Sequence, residues 1–192
     1  MSTKGAAKSR DSTEEKQSRT SWLEAALRAL ASGGIDKVSV EALARELGVT
    51  KGSFYWHFKD RPAFLHQLLD YWAAQTTQTV IENRSYPADP AERIRAVADD
   101  IVRRDLAGLD PHIRAWTQYD AEGRNIVARV DKRRFAFLRS LFSDAGFASD
   151  EAGLRARLLY HYAVGEQFNF AKESPGKRRQ RMRVQADLLL RH

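Results

Sequence analysis

The sequence predicts an all-α fold, with an N-terminal three-helix unit carrying a helix-turn-helix and a C-terminal helical domain behind it. Three observations carry this. Apolar residues recur at helical spacing from Trp22 onward. Glycine and proline fall where each stripe breaks. No segment shows the two-residue alternation of a strand, and no internal repeat competes. The expected boundaries are a disordered arm over 1–19, a helix-turn-helix domain over 20–66 and a helical domain over 67–192.

Residues 1–19 are rich in Ser, Lys, Glu and Thr without an apolar period, so an arm lacking regular structure is expected. Such an arm either trails free or reaches toward a minor groove. Trp22, Leu23, Ala26, Leu27 and Leu30 then share one helical face, ended by Gly33-Gly34. Ile35 and Val38 are loop apolars that should plug the core. Ser39 caps a second helix, with Val40, Leu43, Ala44 and Leu47 inward and Glu41 at its positive end. Gly48 ends it. Thr50 caps a short third helix through Phe58, and Asp60 caps a fourth with Pro62 in its first turn. The fourth stripe, through Phe64, Leu65, Leu68, Leu69, Trp72 and Val80, predicts one long helix over Arg61–Asn83, broken by Pro87–Pro90.

Further helices are expected over Ala91–Leu106, after Pro111, over Gly123–Ala145 with Gly146 as its stop, over Asp150–Lys172, and from Ser174 with Pro175 at its first position.

Composition narrows the partners. Hydrophobic residues make up 43% and charged residues 30%, as in a soluble globular chain. No run approaches the ~20 apolar residues of a membrane span, and the N-terminal stretch lacks the apolar core of a secretory signal. There is no cysteine, which removes disulfides and thiolate chemistry. A cytoplasmic, nucleoid-associated address with no membrane partner is the expectation. The net charge of +7 suits a polyanionic partner, yet much of the surplus sits from Lys172 onward, where seven basic residues face two acidic ones. The run Lys177–Arg183 reads either as a solvated helix face or as an accessory phosphate patch.

The most informative stretch is Ser39–Phe58, SVEALARELGVTKGSFYWHF. Two short amphipathic helices meet at Leu47-Gly48-Val49, the outline of a helix-turn-helix whose second helix enters a major groove. If Leu43, Leu47, Val49, Phe54 and Phe58 pack inward, Lys51, Ser53, Tyr55, Trp56 and His57 are left outward. Lys51 can donate to a guanine edge or a phosphate, Tyr55 and His57 to phosphates, and Trp56 can touch a thymine methyl or a sugar. The other reading is that Tyr55 and Trp56 help to seal the core.

Those residues also carry a resemblance. In order and spacing, Val38-Ser39-Val40, Leu43-Ala44, Leu47-Gly48-Val49-Thr50, Gly52-Ser53-Phe54-Tyr55, His57-Phe58 and Phe64 resemble the TetR/AcrR-type DNA-binding domain, with its pattern G-V-[ST]-x-G-[ST]-[LF]-Y-x-H-F. The resemblance implies nine or ten helices and a homodimer formed by the last two long helices. It also implies derepression when a small molecule enters the C-terminal ligand-binding and dimerisation domain. It makes Thr50, Lys51, Gly52, Ser53, Tyr55 and His57 DNA contacts, with Trp56 at a variable, base-facing position. Where the family has Lys-Glu at the start of its fourth helix, this chain has Arg61-Pro62, and Arg61 can still reach a phosphate. The implied partners are a pseudo-palindromic double-stranded operator and a small-molecule effector of unknown identity.

Trp72, Trp116, Tyr119, Phe135, Phe168 and Phe170 are candidate walls of an apolar effector cavity, though each taken alone reads more readily as ordinary core. His112, Arg114, Gln118 and Asn169 are candidate polar contacts within it. For a dimer interface, one stripe runs through Leu154, Leu158, Tyr162, Gly165 and Phe168, and another through Met182, Ala186, Leu189 and Leu190. Either stripe can instead pack within the monomer. No nucleophile elbow, H-E-x-x-H motif or G-x-G-x-x-G turn occurs, and Gly176-Lys177 lacks the rest of a phosphate loop. His57, His66, His112, His161 and His192 lack ligand spacing. No catalytic residue, metal or cofactor is therefore assigned, and an architectural DNA-binding protein remains the rival reading.

Overall fold

A computed structural model gives the fold. It describes residues 4–169 and 173–191, with side chains from Arg19 onward. Phe170, Ala171, Lys172 and His192 lie outside the described residues. Among the described residues there is no strand, and the chain divides into two compact units, Met1–Trp72 and Ala73–His192.

The first unit holds α1 (Lys4–Gly33), a 3-10 turn (Ile35–Lys37), α2 (Val40–Leu47), α3 (Lys51–His57) and most of α4 (Arg61–Ala73). Helix α1 starts at Lys4, where the sequence predicts an arm to residue 19. Ala6, Ala7, Glu14, Glu15, Lys16 and Gln17 favour helix individually, although they supply no apolar face. From Trp22 the helix buries Trp22, Leu23, Ala25, Ala26 and Leu30.

The caps fall where expected. Ser39 Oγ accepts from the Ala42 amide at 3.2 Å, and Asp60 Oδ1 accepts from the Ala63 amide at 2.8 Å. Gly48 closes α2 at φ 67, a left-handed geometry that a side chain would strain. Thr50 precedes α3 in extended conformation but makes no side-chain cap bond.

The core of this unit is aromatic and uncharged. Phe54 meets Trp22, Phe58 and Phe64 with ring centroids 5.4, 5.1 and 5.2 Å apart, and Phe58 meets Phe64 at 4.7 Å. The Phe54–Phe58 rings are tilted and the other three pairs edge-on, contacts that add about 0.5–1.5 kcal/mol each beyond area burial.

After α4 the helical path is not the single α-helix expected to Asn83. A π-helical turn (Ala74–Gln78) follows, then α5 (Thr79–Ile81). The second unit continues with α6 (Pro90–Arg103), α7 (Asp110–Thr117), α8 (Ala121–Asp144), α9 (Ser149–Gly165), a 3-10 turn (Glu166–Phe168) and α10 (Pro175–Leu189). Helix α9 ends at Gly165, short of the expected Lys172. Gly146, at φ 93, lets the chain turn after α8.

Helix α9 packs on α8, and α10 on α6. Ala152, Ala156 and Ala163 line the buried side of α9 and admit α8 closely, while Met182 and Ala186 fill the face of α10 that joins the same core. Those two residues, named for a dimer stripe, are monomer core. Single-helix periodicity marks a buried face without saying what covers it.

Candidate nucleic-acid interface and effector cavity

Helix α3 is seven residues long, and its apolar investment sits on one side. Phe54 and Phe58 are buried, whereas Tyr55 is 64% and Trp56 86% exposed. Thr50, Lys51 and Gly52 are also exposed, and Ser53 and His57 are half-buried at the edges. Tyr55 leans edge-on against Phe54 at 5.3 Å, which fixes its ring without covering it. The alternative that Tyr55 and Trp56 seal the core is therefore excluded. Val49 is not core either: at 41% exposure it sits in the turn beyond the left-handed Gly48.

Two of the expected cations are held by the protein itself. Lys51 Nζ lies 2.5 Å from Glu41 Oε1, with both side chains more than half exposed. The hydrogen bond from Lys51, followed by a bond to the helix backbone and then the Lys51 charge, holds the Glu41 carboxyl below its ordinary range. Arg61 is exposed and donates weakly to the Val38 carbonyl at 3.4 Å. The Lys51–Glu41 pair is solvent-accessible, of a kind worth little, so phosphate can displace it, whereas the Arg61 bond is long and part-buried. Nothing in the sequence flagged Glu41 as the resting partner of Lys51 beyond its place in the first turn of α2.

The basic run of α10 resolves differently. Arg179 and Arg183 bond Asp99, Arg178 faces Asp105 and Glu166, and Arg181 faces Glu166 and Glu173. These arginines tie helices together and do not form an open phosphate patch.

The second unit contains a void of about 50 Å³. Its walls are mostly aliphatic, with Val97, Ile101, Leu138, Ala163 and Val164 among them, and Thr76, Thr77, Arg134 and Tyr160 supply the polar atoms. Behind those atoms lies a charged network. Arg134 donates to both oxygens of the fully buried Asp110, at 3.1 and 2.9 Å, and to Thr76 and Thr77, each at 2.8 Å. Arg114 grips Asp131 with two bonds of 2.9 and 2.7 Å and reaches Asp110 at 3.3 Å. Tyr160 donates to Asp131 at 2.6 Å and accepts from Arg114 at 3.1 Å.

Burial, then its hydrogen bond to Asp131 and that carboxylate's charge, push the Tyr160 hydroxyl well above its usual range. Burial alone would raise Asp131, but hydrogen bonds from Arg114 and Tyr160 and the nearby guanidinium charges outweigh it and hold the carboxyl low.

None of the five candidate cavity walls among the described residues lines this void. Trp72 is fully buried near the end of α4, Tyr119 is 89% exposed, Phe168 is exposed, Trp116 is half-buried, and Phe135 is half-buried beneath the Arg157 guanidinium. Of the polar candidates, Arg114 belongs to the network behind the wall, His112 is half-buried, and Gln118 and Asn169 are exposed. Among the expected dimer residues, Leu154, Leu158 and Gly165 are exposed and Tyr162 and Leu189 are half-buried. The outward apolars of α10 are Val184 and Leu188, on the face opposite Met182 and Ala186. Among the described residues no cluster of His, Cys, Asp and Glu could hold a metal ion. No helix there is long and apolar enough to cross a membrane.

A short helix with a flat, polar and cationic outer face, held by a glycine turn on a second helix, defines a helix-turn-helix DNA-binding unit. Comparison with known proteins narrows the class. Residues 23–68 match the family described as "Bacterial regulatory proteins, tetR family". The chain is 28% identical over 85 residues to the HTH-type transcriptional regulator AcrR of Shigella flexneri, covering 44% of this chain and 40% of that protein. It is 28% identical over 156 residues to the class C tetracycline repressor protein of Escherichia coli, covering 78% and 64%. In fold it is similar to a TetR-family transcriptional regulator from Streptomyces coelicolor, with TM-score 0.76 and 18% identity over 91% of this chain and 95% of that one. Residues 23–68 are thus similar to the DNA-binding part of TetR-family regulators, and the proteins matched here are described as transcriptional regulators. It spans less than two thirds of the length of either sequence relative.

Proposed function

We propose that this chain is a ligand-responsive, sequence-specific DNA-binding regulator, acting as a repressor, that leaves its operator when a small apolar or aromatic molecule binds the C-terminal domain. Residues 20–66 bind DNA and residues 67–192 bind effector and partner subunit. The observation that carries the reading is the outer face of α3. A tryptophan and a tyrosine left open on a seven-residue helix have no structural use there, and both suit a duplex groove.

In this reading Thr50, Lys51, Gly52, Tyr55, His57 and Arg61 anchor to the backbone, and Ser53 and Trp56 approach base edges. A second copy binds through the exposed faces of α9 and α10, where Leu154, Leu158, Val184 and Leu188 lie open. The dimer then sets two α3 helices ~34–36 Å apart, matching successive major grooves of a pseudo-palindrome. Effector favours a different spacing and lowers DNA affinity by about 1–3 kcal/mol. The address is cytoplasmic, on the nucleoid.

Selection of duplexes from a random pool, followed by titration at fixed salt, tests the reading. A pseudo-palindromic site bound at least ~10³-fold better than random duplex supports it. Binding that ignores sequence leaves an architectural protein in its place.

A further inference from the structure

The outer face of α8 carries charge that the fold leaves unanswered. Helix α8 turns Ile126, Val127, Val130, Leu138, Leu141 and Phe142 inward. Arg129, Lys132, Arg133 and Arg139 stand exposed on the other side. The one carboxylate between Glu122 and Asp144 is Asp131, which is half-buried and taken by Arg114 and Tyr160. Arg133 donates to the neutral Gln78 side chain, and Arg139 donates to the Ser149 hydroxyl at 2.6 Å. Among the described residues none of these four cations pairs with a carboxylate. The arginines of α10 show the opposite arrangement, since Arg178, Arg179, Arg181 and Arg183 all face acids.

Arg129 lies one helical turn from both Lys132 and Arg133, and like charges at that spacing oppose the helix. A face serving solubility alone is better served by mixed signs. The four cations span ten residues, ~15 Å along the axis, over which one strand of B-form duplex presents roughly four phosphates. Ala136 and Ser140 share the stripe and are small enough to let a sugar-phosphate chain come close. An acidic protein partner or a membrane surface would need an apolar anchor as well as charge. Every large exposed apolar residue lies elsewhere among the described residues, on α3, α9 or α10, in the turn at Val49, or at Tyr119 and Phe168.

We propose that the outer face of α8 is a second duplex-binding strip, independent of sequence, in which Arg129, Lys132, Arg133 and Arg139 neutralise backbone phosphates. It belongs to the second unit, reads no base, and does not rest on the operator reading of α3.

The test scores random duplex by anisotropy over a series of salt concentrations, using the full chain with Lys51→Ala and Trp56→Ala to silence α3. In that background duplex binding persists. Adding Arg129→Gln, Lys132→Gln and Arg133→Gln lowers it at least ~tenfold at low salt and reduces the slope of log K against log salt by about 2–3. The melting temperature stays unchanged, because all three side chains are exposed. Removing the same charge elsewhere, through Arg84→Gln, Lys177→Gln and Arg191→Gln, changes the slope by less than one. The proposal is overturned if the α8 triple variant binds random duplex undiminished, or if the control triple loses as much. It is equally overturned if poly-glutamate at matched charge competes as well as duplex, which would assign the strip to an acidic protein. A wild-type chain that prefers no operator refutes the reading of α3 and leaves the strip standing.

Discussion

The two units are built from the same helical stripes, yet they hide opposite things. In Met1–Trp72 the interior is neutral and aromatic, with Trp22, Phe54, Phe58 and Phe64 in mutual contact, and the unusual chemistry faces outward on α3. In Ala73–His192 the unusual chemistry faces inward, where Asp110, Arg134, Arg114, Asp131 and Tyr160 form a paired network beside an aliphatic void. The lesson is that a small domain meant to present a surface needs a core that needs no further partner. The second unit instead turns polar groups inward, and they are already satisfied by one another.

Core substitutions should break this contrast most sharply. Asp110→Ala leaves Arg134 with no carboxylate and should cost about 3–5 kcal/mol, while Phe54→Ala should cost a similar ~3–5 kcal/mol through a cavity. Denaturant melts of the two variants separate the causes. Asp110→Ala should be partly rescued by Arg134→Met, which removes the stranded charge, and no charge change should rescue Phe54→Ala.

Smaller effects belong to α3. Lys51→Ala and Tyr55→Phe should weaken operator binding by about tenfold each, as loss of a charge-assisted or ordinary hydrogen bond to phosphate implies, while Tm stays within a degree or two. Lys51→Ala should also reduce the salt slope of log K by about one. Unchanged affinity in titrations of both variants would remove these side chains from the contact surface.

Acid should act on the second unit. Asp131, and likewise Asp99 and Asp100, are held below the ordinary carboxylate value in the fold. The hydrogen bond from Arg179 is the largest influence on Asp99, whereas for Asp100 the opposing effect of burial is outweighed by bonds from Tyr86, Arg103 and Arg104. Depressed values mean stability that is fully present above about pH 4 and lost as pH falls through the folded values. Tm should therefore be flat from about pH 7 to 5 and fall steeply below about pH 4. Tyr86, pushed up to about 12 first by burial and then by its bond to Asp100, remains protonated throughout that range.

The smallest expected effect sharpens the resting state of α3. Glu41→Gln frees Lys51 from its exposed ion pair and should tighten operator binding by no more than about fivefold. A loss of affinity in the same anisotropy titration would mean that the pair positions Lys51 for DNA instead of competing for it.

How much of this was legible follows the range of the forces. Caps at Ser39, Asp60 and Ser174, the turn at Gly48 and the outward set on α3 are decided within a few residues, and they read directly. Val49 was misjudged because a left-handed residue before it turns its side chain away from the stripe. The cavity was invisible because its walls come from separated helices, and because Arg134, within Lys132-Arg133-Arg134, reads as surface charge until Asp110 is brought to it. The π turn at Ala74–Gln78 escaped for the same reason: Thr76 and Thr77 accept from Arg134, 57–58 positions along the chain. Met182 and Ala186 marked a buried face correctly, but α6 rather than a second subunit covers it.

The outward presentation of α3 is tested most directly by the ratio of affinities for a selected duplex and for random DNA, measured by anisotropy on the wild-type chain and on Trp56→Ala. The wild-type ratio should be at least ~10³ and should fall by about an order of magnitude or more in the variant, with its melting temperature unmoved. A ratio near one in the wild type, or an undiminished ratio without the indole, would contradict the assignment.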